Sequence, residues 1–218
     1  MITALKKFVV PIGIGAVLLA GCTGSGDKKL PILGERDWVE KVIDGKTVTD
    51  TIYHQIPGFS FVSQHGDSIT EKQVEGKIFV ADFFFTSCPT ICPVMKKNML
   101  KVFKAIQDKP DVAILSHTID PVHDTPQVLL KYATDLGVSG DQWLFLTGQK
   151  ADIYGIAQRY FVAANEEGSA PGGFIHSGAF TLVDKDKHVR GVYDGTDDKK
   201  VAQLISDIEV LRKEYEKK

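Results

Sequence analysis

The chain has 218 residues, 43% of them hydrophobic, with 26 Lys and Arg against 28 Asp and Glu. That is enough apolar material for one well-packed domain and too little length for two comfortable ones. The near-balance of charge leaves no basic stripe, which argues against nucleic acid as a partner.

Residues 1–21 have the layout of a signal peptide for export. Lys6 and Lys7 precede a nearly unbroken apolar segment from Phe8 to Ala20, too short and too poorly flanked for a membrane span. Leu19, Ala20, Gly21 and Cys22 follow, small residues before a cysteine, which resemble the lipobox of bacterial lipoproteins. Cys22 is therefore expected to be the lipidated first residue of a mature protein anchored to a membrane of the bacterial cell envelope and facing outside the cytoplasm. Removal of the signal leaves Cys88 and Cys92 as an even pair, in a compartment where a disulfide bond can persist. Residues 22–50 open with a Gly/Ser-rich stretch and show no sustained periodicity, so they read as a lipidated tether and an extended arm lying on the domain. Residues 51–218 form that domain.

From Ile56 the pattern sharpens. Phe59 to Ser63 is strand-like and Gln64 to Asp67 is turn chemistry, so an N-terminal hairpin precedes the core. Lys77–Phe85 is a continuous apolar strand, and Thr90 to about Gln107 carries apolar residues at helical spacing. Val112–Thr118 is again a strand. Thr125 and Pro126 make a helix start that runs to Gly137. Trp143–Leu146 is a short strand, Ala151–Tyr160 a helix, and a glycine-rich loop follows. Ala179–Val183 and His188–Tyr193 pair across a turn, and Asp197 or Asp198 opens a C-terminal helix. Strands alternating with helices imply parallel pairing, and the last hairpin adds antiparallel strands. The expected fold is α/β: a thioredoxin-like mixed sheet flanked by helices.

Cys88 and Cys92 follow the first core strand, and their spacing places both on the first turn of the next helix, where the local field favours thiolate. Both metal binding and disulfide exchange become accessible there, whereas a passive staple across so short a loop would constrain the unfolded chain little. His176, just before Ala179–Val183, is the best-placed third ligand. Two thiolates and an imidazole suit reduced copper, while structural zinc would want a fourth ligand. Asp120 and Asp124 read as turn and cap residues, and His117 and His123 as solvated or packed side chains that could contribute a contact near the site.

The motifs Thr86-Ser87-Cys88-Pro89-Thr90-Ile91-Cys92-Pro93, Thr118-Ile119-Asp120-Pro121, Asp124-Thr125-Pro126, Leu146-Thr147-Gly148 and His176 resemble, in order, those of the Sco/SenC family of copper-binding cytochrome oxidase assembly proteins. The resemblance spans about Ile56 to Tyr193. It implies copper held by Cys88, Cys92 and His176, and a partner in the copper-bearing subunit of cytochrome c oxidase, to which copper would be delivered or whose cysteines would be reduced. Thr90 stands where the family usually has an acidic residue, and Ser177, Gly178 and Ala179 are smaller than the usual sequence after the histidine. The alternative from another class is an extracytoplasmic thiol-disulfide oxidoreductase with Cys88 and Cys92 as its redox-active pair. Against a general thioredoxin, the spacing is Cys-x3-Cys and no tryptophan precedes Cys88.

Overall fold

The computed structural model describes residues 29–217, so the signal, Cys22 and the first residues of the tether lie outside the described residues. The core begins with β3 (Ser60–Ser63) and β4 (Ser68–Thr70), after a first ribbon of β1 (Arg36–Ile43) and β2 (Lys46–Tyr53). β5 (Ile78–Phe84), α1 (Cys92–Ile106), β6 (Val112–Thr118), α2 (Pro126–Asp135), β7 (Trp143–Thr147) and α3 (Lys150–Arg159) alternate next. β8 (Ala164–Glu166), β9 (Phe174–His176), β10 (Ala179–Val183), β11 (Val189–Asp194) and α4 (Asp198–Glu216) complete the chain.

The main sheet has the order β11-β10-β5-β6-β7-β3-β4. β5, β6 and β7 are parallel, and the strands outside them pair antiparallel. Every residue of the three parallel strands is buried, as expected of strands covered on both faces. On one face Phe84 and Phe145 pack against Tyr132 of α2. On the other, Phe79 and Phe83 meet Tyr160 at the end of α3. Thr125 caps α2 by accepting from the Val128 amide, with Pro126 in the first turn, and Asp197 caps α4 through the amides of Lys199 and Lys200. Among the described residues no helix is long and apolar enough to cross a membrane.

Two elements differ from expectation. The arm expected to remain extended up to residue 50 does so only as far as Glu35: Leu30 is buried and the Leu33 amide donates to the Val189 carbonyl, but β1 and β2 then form a hairpin of their own. Asp44 and Gly45 both have positive φ, 51° and 75°, the geometry of a two-residue turn whose twist suits paired strands. Because both faces of the ribbon are exposed, its sequence carries no burial alternation to betray it. The glycine-rich loop before His176 likewise contains the β8–β9 hairpin, in which Ala164 pairs with His176.

Candidate metal centre

The site is built where β5 ends. Phe85 is buried, and the chain turns at once, with the Cys88 amide donating to the Phe85 carbonyl. Pro89 and Pro93 bracket the segment that enters α1. Cys92 is the first residue of α1, but Cys88 lies four residues before it, in the loop. The expected placement of both cysteines on the first helical turn is thus corrected. Pro93 in that first turn confines the helix to starting at Cys92.

His176 ends β9 and is buried with Cys92. Its Nε2 lies 3.3 Å from the Cys92 Sγ. The ligand atoms of Cys88, Cys92 and His176 all fall within 4.8 Å of one another, and neither cysteine is in a disulfide. A cavity of about 180 Å³ lined by Phe85, Cys88, Thr90, Pro171, Phe174 and His176, among others, opens beside them. The β8–β9 hairpin is pressed onto the cysteine loop by the Phe85 and Phe174 rings, 5.1 Å apart.

The two thiols differ electrostatically. Burial alone would push the Cys88 thiol up, but the Cys92 thiol, the Thr90 and Cys92 amides and the Thr90 hydroxyl together hold it below the ordinary range. Burial pushes the Cys92 thiol well up, and proximity to Cys88 and the Asp82 carboxylate adds to that. Cys88 is thus the readier thiolate and Cys92 its proton-bearing partner. Burial also lowers the affinity of His176 for a proton, against an opposing contribution from the Ser177 main chain, so its imidazole is neutral and available as a ligand. Its Nδ1 is buried and makes no hydrogen bond of ordinary geometry. Two sulfurs and one neutral nitrogen, converging in a largely apolar setting, fit a soft metal ion of low coordination number.

The other residues singled out in the sequence fall in three places. His117 is fully buried in the core, stacked on Phe83 at 4.9 Å and outside the ligand cluster. Asp124 is also fully buried, but it anchors the cysteine loop: its carboxylate accepts from the Thr86 amide at 3.0 Å, the Thr86 hydroxyl at 2.5 Å and the Thr118 hydroxyl at 2.5 Å. His123, half exposed, pairs with the same carboxylate at 2.8 Å, and Asp120 organises the turn through the His123 amide. Asp82, which the sequence reading passed over inside an apolar run, is buried on β5 and accepts from the Ser116 hydroxyl. A charged residue inside a run buried on both faces was the available signal.

Residues 49–212 match the sequence pattern of the SCO1/SenC family. A SCO1/SenC family lipoprotein from Bacillus anthracis str. Ames is similar in structure, with TM-score 0.66, 30% identity, and coverage of 72% of this chain and 95% of that one. BsSco, described as a member of the Sco family of cytochrome c oxidase assembly proteins in which a disulfide switch was identified, is 33% identical with TM-score 0.63, over 72% of this chain and 93% of that one. Arabidopsis thaliana ScoI, solved with copper bound, is 25% identical with TM-score 0.60, over 72% of this chain and 98% of that one. With a match across three quarters of its length and a Cys-x3-Cys and histidine cluster gathered at the end of β5, the chain belongs to the SCO1/SenC family.

Proposed function

We propose that the protein binds one copper ion through Cys88, Cys92 and His176 and takes part in assembly of the dinuclear copper site of cytochrome c oxidase. It does so outside the cytoplasm, tethered to the membrane through lipidated Cys22. The observation that carries this reading is His176: disulfide exchange needs two sulfurs and no imidazole, whereas a soft metal ion gains a third ligand from a neutral nitrogen 3.3 Å from one of them. The copper-bound structure of a relative supports the choice of metal. The handling of copper as cargo requires no turnover.

A second reading has its own support. The unequal thiols suit exchange, with Cys88 as attacking thiolate and Cys92 as the resolving group. Oxidation of the pair to a disulfide releases two protons and two electrons and removes both sulfur ligands, so the two chemistries are mutually exclusive in one molecule and can regulate each other. Copper stoichiometry and competition affinity of the full chain, measured reduced and oxidised, separate the readings. One tightly bound copper in the reduced protein, lost on oxidation and weakened at least tenfold by His176→Ala (about 1.4 kcal/mol or more), is the expected result. His176→Ala should still form the disulfide. Wild-type copper affinity in His176→Ala would remove the case for a copper carrier and leave the oxidoreductase.

A further inference from the structure

Among the described residues the β1–β2 hairpin pairs with no other strand, and a two-stranded ribbon alone is marginal in water. It nonetheless carries much of the exposed apolar surface of the described residues, with Trp38 70% exposed, Val42 74% and Ile43 55%. The register places Val39, Ile43, Val48 and Ile52 on one face, around the Lys41–Asp50 ion pair. Trp38 and Val42 stand on the other face among three threonines. Such a concentration on one short ribbon marks a surface of contact. The family match begins at residue 49, inside β2, so most of the hairpin lies outside it.

Its position says what the contact is. The metal centre lies at the C-terminal end of β5; β10 runs antiparallel to β5, so the β10–β11 turn is at the opposite pole. Both ends of the hairpin are pinned there: the Leu33 amide donates to the Val189 carbonyl and the Ile56 amide to the Lys187 carbonyl. Leu30 is fixed at the same pole, its carbonyl accepting from Arg190 and its amide donating to Glu214. The chain that leads back to Cys22 therefore leaves the domain beside the hairpin. The eight residues from Cys22 to Leu30 reach about 28 Å fully extended, and eight residues of strand span about 26 Å. The tether cannot hold the domain much farther from a membrane than the hairpin is long.

We propose that the β1–β2 hairpin lies against the lipid bilayer on its Trp38 and Val42 face, with Trp38 at the boundary between headgroups and acyl chains. This rests on the tethering through Cys22 proposed above. An indole that shares its face with Val42 and Tyr53 suits that boundary. Arg36, Lys41 and Lys46 are outnumbered by Asp37, Glu40, Asp44 and Asp50, so anionic lipid is not the attraction and zwitterionic phosphatidylcholine suffices. The hairpin and the tether together turn the metal centre away from the membrane.

The chain has two tryptophans, and Trp143 is buried, so a change in emission reports on Trp38. The lipidated full chain, reconstituted in phosphatidylcholine vesicles, should show Trp38 emission shifted to the blue and quenched severalfold when the lipid carries bromine near the headgroup end of its acyl chains. Trp38→Phe should abolish that quenching, and Val42→Ser should weaken it while copper binding and circular dichroism stay unchanged. A chain that sediments with the vesicles yet leaves Trp38 unquenched would overturn the proposal and spare the tether. A blue shift that depends on protein concentration and not on lipid would overturn it in favour of a second copy. Failure to associate with vesicles at all would remove the tether and the proposal together.

Discussion

At the scale of single residues, Asp124 decides the shape of the cysteine loop. It lies 38 residues beyond Thr86, yet it accepts from both the amide and the hydroxyl of that residue. Thr118, at the end of the neighbouring strand, donates to the same carboxylate. Removal of an acceptor shared by several donors costs more than its own net worth, because the buried Thr118 hydroxyl is left without water or partner and the half-buried Thr86 donors lose theirs as well. Asp124→Ala should therefore lower unfolding free energy by about 3 kcal/mol or more and speed thiol labelling at Cys88. Denaturant titration and labelling kinetics check this, and a variant with wild-type stability would show that the loop is held by its prolines alone. The sequence read Asp124 as cap and turn chemistry because its local neighbours, Thr125 and Pro126, explain it well enough. The contact with Thr86 is long-range and leaves no periodic trace. Cys88, Cys92 and His176 were legible for the opposite reason: the cysteines lie between a clear strand and a clear helix, and His176 stands just before the clear strand Ala179–Val183.

Among the elements, β8 and β9 carry the third ligand, and their placement depends on one glycine. Gly172 has φ +81°, and a Cβ built on it would meet the Phe85 ring at 2.8 Å and Pro89 at 3.3 Å. The hairpin thus approaches the cysteine loop as closely as a backbone can, in a conformation that L side chains rarely adopt. Gly172→Ala should push β9 away from Cys88 and Cys92 and weaken copper binding severalfold. The disulfide should form as in the wild type, since both cysteines belong to the other side of the contact. Competition titration and a disulfide-formation assay on the same protein test this; equal losses in both would mean that the loop itself had moved. The sequence showed the glycines but no strand here, because three-residue strands are shorter than any hydrophobic period can register. β1 and β2 escaped notice for a related reason: their apolar residues face both sides and bury against nothing in the domain.

For the whole molecule, two ionisable groups sealed in the central sheet give stability an unusual dependence on pH. Burial pushes the Asp82 carboxyl up from 3.8 to about 7, against the opposing hydrogen bond from Ser116. Burial pushes His117 down from 6.5 to about 4, against opposing contributions from the Asp82 and Leu115 main chain, and its ring nitrogens make no hydrogen bond of ordinary geometry. The Asp82 contribution is fully present below pH 3.8 and is lost as pH rises through about 7, a change on the order of 4 kcal/mol. The His117 contribution is fully present above pH 6.5 and is lost as pH falls through about 4, a change on the order of 3 kcal/mol. Between those limits the unfolded chain holds one proton on His117 and none on Asp82, while the folded chain holds one on Asp82 and none on His117. The proton count of the pair does not change on folding, and the two slopes cancel. From about pH 4.5 to 6 the urea midpoint of the wild type should accordingly be nearly flat with respect to this pair. Asp82→Asn should expose the histidine alone, with stability falling as the solution is acidified across that window. His117→Phe keeps the aromatic stack on Phe83 and should expose the aspartate alone, with stability falling as pH rises. Urea titrations of the three proteins at matched pH values read this directly, and parallel profiles for wild type and both variants would show that Asp82 and His117 reach water in the folded state.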